Sequence, residues 1–318
     1  MKVFVAGGSG VLGRASLRAL ITDGHDVRAT ARGPMHAAAV SELGAQPVDV
    51  DLFDAVAVGR AIAGSDVVLR LTTKIPKLAD MRSSKAWEAT NRLRTEGARI
   101  LVDVALTESV PIYINESVTF MYRDGADNWL DEEAPVDAES QILQAAIRGE
   151  EEAARFSNAG GRGIVLRFGG FYSADSSGTR DMIEMARHRK LPQIGPGTNY
   201  FSSIYVPDAG AAVAAALDVP AGIYNVVDDE PVRFAEYLRA IADAAGAPKP
   251  MHLPGFIGPL TFGEVWHYFS RSQRVSNAKF KGVSAWEPAV KSAREGWPLI
   301  ARELSSRAHS HSMVPGGL

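Results

Sequence analysis

Met1-Lys-Val-Phe-Val-Ala-Gly-Gly-Ser-Gly-Val-Leu-Gly13 is the stretch whose reading decides the fold. Val3 to Ala6 form an apolar run of the length of a buried parallel strand. Glycines follow at 7, 8, 10 and 13, and beyond Arg14 the apolar Ala15, Leu17, Leu20 and Ile21 recur at helical spacing up to Thr22. Strand, glycine turn and helix in that order gather backbone N–H groups and a helix N-terminus at one point, where a pyrophosphate binds. Gly7 supplies the positive φ of the turn, Gly10 lets backbone approach the ligand, and Gly13 lets helix and strand pack closely. The expected dinucleotide contacts here are Gly7, Ser9, Gly10, Val11, Leu12 and Gly13.

Working outward, His25 to Arg32 reads as a second strand. A site for NAD usually places a carboxylate at its end; this chain has Ala31 and then Arg32, which suits the 2′-phosphate of NADP through charge-assisted hydrogen bonds. Arg14 and Arg28 are further candidates for that role. Gln46 to Leu52 reads as a third strand whose Asp51, with Leu52, lies at the expected adenine edge; the alternative for Asp51 is the cap of the next helix. Asp66 to Thr73 is a fourth strand. Leu71, Thr72, Thr73 and Lys74 lie at its carboxyl end, where ligands bind in such sheets.

A helix is expected over about Lys85 to Glu108, a fifth strand over Pro111 to Asn115, a loop over Asp124 to Pro135, a helix over about Ala138 to Ser157 and a sixth strand over Gly163 to Phe168. Strands alternating with helices make an α/β fold, a doubly wound parallel Rossmann sheet. After Gly169-Gly170 the chain turns to Pro, Gly and aromatic residues. The expected organisation is a dinucleotide-binding domain over 1–170 and a smaller C-terminal substrate lobe over 171–308. Ile204 to Val206 and Gly222 to Val227 still read as strands, elements returning to the sheet, and 309–318 as a flexible tail.

Composition narrows the function classes. At 318 residues, with 22% charged and 46% hydrophobic residues, the chain can bury a large core. A net charge of -3 gives no reason to expect nucleic acid or an anionic membrane as partner. There are no cysteines, which excludes disulfides, thiolate metal sites and cysteine nucleophiles. The seven histidines form no metal-binding pattern, so no metal is expected. No apolar run reaches the roughly 18 residues of a membrane span. The N-terminus enters a strand at once, so a cytoplasmic protein without a signal peptide is expected. The expected partner is a small-molecule substrate, and a homodimer is left open.

The chain resembles the extended branch of the short-chain dehydrogenase/reductase superfamily. Gly7-Gly-Ser-Gly-Val-Leu-Gly13 is similar to its glycine motif, Leu166-Arg-Phe-Gly-Gly-Phe-Tyr172 to its Arg-Pro-Gly-x-x-Tyr stretch, and Ile204-Tyr-Val-Pro-Asp208 to its Ile-His-Val-Asp-Asp stretch. The resemblance implies hydride transfer with a Ser or Thr, a Tyr and a Lys. Ser117 matches the serine. Counting back from Glu152, the Tyr-x-x-x-Lys positions are Gln144 and Arg148. Glutamine is no proton acid near neutral pH, whereas Arg148 keeps the charge and can hold the ribose. No tyrosine lies between Arg123 and Phe171 in any register. Tyr122, Tyr172 and Lys74, each beyond the carboxyl end of a strand, are the substitute acids. The expected function is an NADP(H)-dependent oxidoreductase or epimerase acting on a small carbonyl or hydroxyl compound. The alternatives are an NADP-binding sensor and a non-redox elimination or cyclisation on the same scaffold.

Overall fold

The computed structural model describes residues 1–77 and 80–312. Its centre is a seven-stranded, all-parallel sheet formed by β1 (Lys2–Ala6), β2 (Asp26–Thr30), β3 (Gln46–Val48), β4 (Val67–Arg70), β5 (Ile112–Val118), β6 (Arg162–Phe168) and β7 (Gly222–Val226). Their spatial order is β7-β6-β5-β4-β1-β2-β3. The order reverses between β1 and β4, and the carboxyl ends of those two strands open a crevice there, the place where ligands bind in such sheets.

Side chains of a strand alternate between faces, and β1 shows how this divides the core. Val3 and Val5 enter a cluster with Leu17 and Leu20 of α1 (Val11–Thr22), Val40 of α2 (Pro34–Glu42) and Val213 further along. Phe4 and Ala6 enter the opposite cluster with Val58 of α3 (Ala55–Ile62) and, from later helices, Leu101 and Phe156. The Asp54 carboxylate caps α3 by accepting from the N–H groups of Val56 and Ala57. The helix read over Lys85 to Glu108 is α4 (Ser84–Arg92), a π-helical turn over Leu93–Gly97, and α5 (Ala98–Thr107) in continuous succession. Then come α6 (Gln141–Asn158), α7 (Ser177–Arg187), α8 (Val206–Ala215) and α9 (Phe234–Ala244).

The first 170 residues do not contain the whole sheet. β7 pairs with β6 from Gly222↔Ile164 to Val226↔Phe168. α8 lies on α1 so closely that a Cβ on Gly210 would sit 2.5 Å from the carbonyl carbon of Ala15. The C-terminal lobe has its own core, in which Tyr172, Phe201, Tyr237, Ile241 and Trp297 pack together. The region read as a loop over Asp124 to Pro135 holds a two-residue strand, Trp129–Leu130, paired with Arg274–Val275. The last helix runs over Ala293–Ser312, so 309–312 are helical where a tail was expected; 313–318 lie outside the described residues. Among the described residues no helix is long and apolar enough to cross a membrane.

Candidate active site

The glycine turn has the geometry that its residues imply. Gly7 takes φ +107°, donates its N–H to Thr30 Oγ1 (2.8 Å) and accepts from the Gly10 N–H (3.1 Å). A Cβ on Gly7 would stand 2.9 Å from the Leu71 backbone and 3.1 Å from Thr72 Cγ2, so the turn is wedged against the end of β4. A Cβ on Gly13 would run into the Gly7 carbonyl. At Gly10, by contrast, a Cβ would meet only the Gly7 oxygen, at 3.4 Å. Gly10 is the N-cap of α1 and no side chain caps the helix. A bare helix N-terminus in open space is a cradle for a phosphate group. Thr72 Oγ1 beside it is a buried polar atom without a partner. These residues fit a dinucleotide.

Around this turn, Leu12, Leu52 and Leu71 are buried and Ser9 and Val11 half-buried. Arg32 is exposed just past β2. The other two arginines considered there are committed elsewhere. Arg14 Nη1 donates to the Ser9 carbonyl (2.6 Å), bracing the turn, and Arg28 Nη2 donates to the Ala63 carbonyl (2.8 Å) and Ser65 Oγ. Asp51 is exposed and its carboxylate accepts from the Phe53 N–H (3.1 Å); the helix cap is Asp54.

The substitute acids are not gathered at the crevice. Ser117 is fully buried, and its hydroxyl donates to Glu150 Oε1 (2.6 Å). Glu150 in turn accepts from Arg167 Nε (2.9 Å) and Nη2 (2.7 Å). Arg167 Nη1 donates to the Tyr122 hydroxyl (2.9 Å), which donates to Asn225 Oδ1 (2.8 Å). Ser117 and Tyr122 therefore belong to a buried network that stitches β5, α6, β6 and β7 together. Burial pushes the Tyr122 phenol up to about 12. Tyr172 is also fully buried, stacked on Trp297, and donates to Asp228 Oδ2 (2.9 Å). Lys74 is exposed beyond β4, with its backbone N–H on Thr90 Oγ1 (3.1 Å). Thr73 beside it is half-buried.

Asp228 carries its own prediction. Burial pushes its carboxyl up to about 8, against donation from Tyr172, Ser203 and the Tyr205 N–H. An unfolded aspartate titrates near ~4, so between these values the folded protein holds a proton that the unfolded chain has released. The stabilisation is full below the unfolded value and is lost as pH rises through the folded one. Thermal melts should therefore fall from about pH 4 to about pH 8, and Asp228→Asn should flatten that fall; an unchanged slope in the variant refutes the assignment.

The register on α6 also needs correction. Glu152 is half-buried and pairs with Arg155, whereas the glutamate turned inward to the β6 arginine is Glu150. Counting back four and eight from Glu150 gives Ala146 and Ile142. Gln144 and Arg148 instead line an open surface groove of about 670 Å³ with Glu96, Arg99, Glu151 and Glu152. Arg148 is exposed there, and no residue of the glycine turn or of a strand end lines that groove. On the inward face Ile142 and Ala146 join Trp87, Met121, Val265 and Tyr268 in one cluster, with Val118 packed against it. In the register that Glu150 sets, the positions for which the resemblance implied Tyr and Lys hold the buried apolar Ile142 and Ala146.

One polar group was missed from sequence. Arg70 and Arg94 are buried and share a single carboxylate, Glu116, with each arginine 3.4 Å from one of its oxygens. Arg70 Nε also donates to Asn115 Oδ1 (2.6 Å) and its Nη1 to the Thr72 carbonyl (3.1 Å). Arg94 Nε and Asn91 Oδ1, one helical turn apart, are buried without partners. Burial and the nearby Arg70 push the Arg94 guanidinium below its ordinary range, against the pull of Glu116. Only the strand-interior charge of Arg70 gave a sequence signal; nothing in one sequence shows that a π turn aims Arg94 inward. Among the described residues no group of three or more His, Asp or Glu could hold a metal ion.

The sequence model of the NAD dependent epimerase/dehydratase family matches residues 3–226. A 3-diazoavenalumate denitrifying reductase from Streptomyces sp. is 32% identical over 309 residues, covering 93% of this chain and 99% of that protein. A 4-hydroxy-2-methyl-3-oxo-4-farnesyl-3,4-dihydroquinoline-1-oxide ketoreductase from Stigmatella aurantiaca is 25% identical over 301 residues, covering 92% and 83%. The human epimerase family protein SDR39U1, solved with NADPH, superposes with a TM-score of 0.79 at 19% identity, covering 95% of this chain and 99% of that one, a likeness of fold.

Proposed function

Because the chain belongs to the NAD dependent epimerase/dehydratase family, we propose that it is an NADPH-dependent reductase whose acceptor needs no proton from the protein, an aromatic diazo or diazonium compound. The observation that carries this reading is the apolar wall of Val118, Ile142 and Ala146. A carbonyl acceptor becomes an alkoxide as hydride arrives, and a positioned acid is worth about 10²–10⁴-fold there. Ser117, Tyr122 and Tyr172 each spend their hydroxyl proton on a buried acceptor.

A diazonium group is already short of electrons. Hydride added at its terminal nitrogen gives an aryl diazene, which loses dinitrogen and leaves hydrogen on the ring; charge and atoms balance without an acid. Reduced nicotinamide, when bound, supplies the hydride. This chain's residues would hold the phosphates at the glycine turn, and the half-buried Val118 and Phe120, backed by the core cluster of Trp87, Met121 and Tyr268, would meet the ring. Kinship with the diazo reductase, across nearly the full length of both chains, supports the same substrate class.

The test is NADPH oxidation with an ortho-hydroxy arenediazonium and with a panel of ketones and aldehydes, dinitrogen being followed by mass spectrometry. Oxidation coupled to dinitrogen release supports the reading. Turnover of carbonyls alone overturns it, and tight NADPH binding without any turnover points to a sensor.

Cofactor choice has a separate check. Arg32 stands exposed just past β2, where Ala31 supplies no carboxylate. Losing one charge-assisted bond costs roughly 1.5–3 kcal/mol, so Arg32→Ala should weaken NADPH by about ten- to a hundredfold and leave NADH little changed. Equal affinities for the two nucleotides in the parent protein would remove the basis for choosing NADP.

A further inference from the structure

We propose that Arg94 is a binding residue for the ribose on the nicotinamide side of the dinucleotide, taking from the neighbouring helix the task that no side chain of α6 performs. This rests on the dinucleotide reading of the glycine turn.

Three independent features converge on Arg94. The first is backbone: the π turn over Leu93–Gly97 interrupts an otherwise continuous helix, and Arg94 within it is 2% exposed. Single π turns of this kind are enriched at functional sites. The turn is held tightly, since a Cβ on Gly149 of α6 would sit 3.2 Å from the Arg94 carbonyl and 3.4 Å from Asn115 Nδ2.

The second is charge. Arg70 and Arg94 face one carboxylate, Glu116, in a buried setting. Arg70 is further satisfied by Asn115 and by the carbonyls of Thr72 and Glu116. Among the described residues Arg94 has only its 3.4 Å contact with Glu116, and its Nε has no acceptor. A buried cation with an open donor is costly, and such a cost is met by a ligand that supplies the acceptor.

The third is position. Arg94 Nε is a donor, Asn91 Oδ1 an acceptor, and Thr72 Oγ1 both, and all three are buried without partners. Thr72 abuts Gly7, its carbonyl accepts from Arg70 Nη1, and Arg70 faces the same Glu116 carboxylate as Arg94, so a polar chain runs from the glycine turn to Arg94. Arg94 Nε and Asn91 Oδ1, one helical turn apart, offer a donor and an acceptor, the pair that a ribose hydroxyl complements because it both gives and takes a hydrogen bond.

Two ligands separate this role from a structural one. NADPH carries the second ribose, and 2′,5′-ADP carries only the adenosine half. Affinities of both are measured by titration for the parent protein, Arg94→Met and Arg94→Lys, with melting of the unliganded proteins alongside. Arg94→Met should weaken NADPH roughly ten- to a hundredfold, leave 2′,5′-ADP unchanged, and be partly rescued in Arg94→Lys. If Arg94→Met does not fold, Arg94→Gln carries the same comparison. Unchanged NADPH affinity in a folded variant, or equal losses for both ligands, overturns the assignment. Parent protein that binds neither ligand overturns the dinucleotide reading itself, and this inference with it.

Discussion

Gly10→Val should all but abolish dinucleotide binding while the unliganded protein melts within a few degrees of its parent. The backbone at Gly10 is extended, φ -70° and ψ 173°, a conformation that valine adopts without strain. Its Cβ would enter open space, with only the Gly7 oxygen at 3.4 Å. The fold thus has little reason to object, and the branched side chain falls where a pyrophosphate must approach the first turn of α1. The expected loss is on the order of a hundredfold or more, ~2.7 kcal/mol, read by NADPH fluorescence titration. Gly13→Ala is the contrasting control: its Cβ strikes the Gly7 carbonyl, so the unliganded fold itself should suffer. Binding that survives in Gly10→Val would place the phosphates elsewhere.

Glu150→Ala should be among the most destabilising single changes in the chain. It leaves Arg167, buried at the end of β6, with Nε and Nη2 unpaired, and it takes the acceptor from Ser117. Removing one partner of a buried pair costs about 3–5 kcal/mol because the remaining charge has no counter-ion. Ser117→Ala removes a single hydrogen bond, and an effect of about 1 kcal/mol is expected, with turnover preserved. Urea unfolding of the two variants measures both. The double variant Glu150→Met with Arg167→Met should regain much of the loss, since apolar replacement of a buried pair is often neutral. A Glu150→Ala protein within 1 kcal/mol of the parent (roughly the worth of one hydrogen bond) would show that the network carries no stability.

The sheet was legible because its signals are local. The runs at Val3 to Ala6 and Ile164 to Leu166 are apolar and short, and the glycines at 7, 10 and 13 have roles that only a strand–turn–helix can use. α2 has no expected range in the sequence although Pro34 stands in its first turn, and α3 is expected only as the helix after the third strand, its cap being Asp54 and not Asp51; each is short and sits beside stronger strand signals. The site was less legible, for a physical reason. Whether Ser117, Tyr122 or Tyr172 faces a substrate or a buried acceptor depends on Glu150, Asn225 and Asp228, which lie far along the chain. The α6 register failed similarly: Glu150, Glu151 and Glu152 are chemically alike, and only packing against Arg167 distinguishes the inward one.

The late position of β7 sets a timetable for synthesis. β6 is complete once Phe168 has left the ribosome, yet its outer partner is not available until Gly222 to Val226 emerge. In the interval the edge Ile164-Val-Leu166 is unpaired, and α1 lacks the α8 backbone that rests on Ala15. An open apolar edge is a template for pairing with other nascent chains. The same connection that supports the phosphate helix in the finished protein therefore leaves the half-made chain with an open apolar edge, and a pause in translation before Val226 emerges prolongs that exposure.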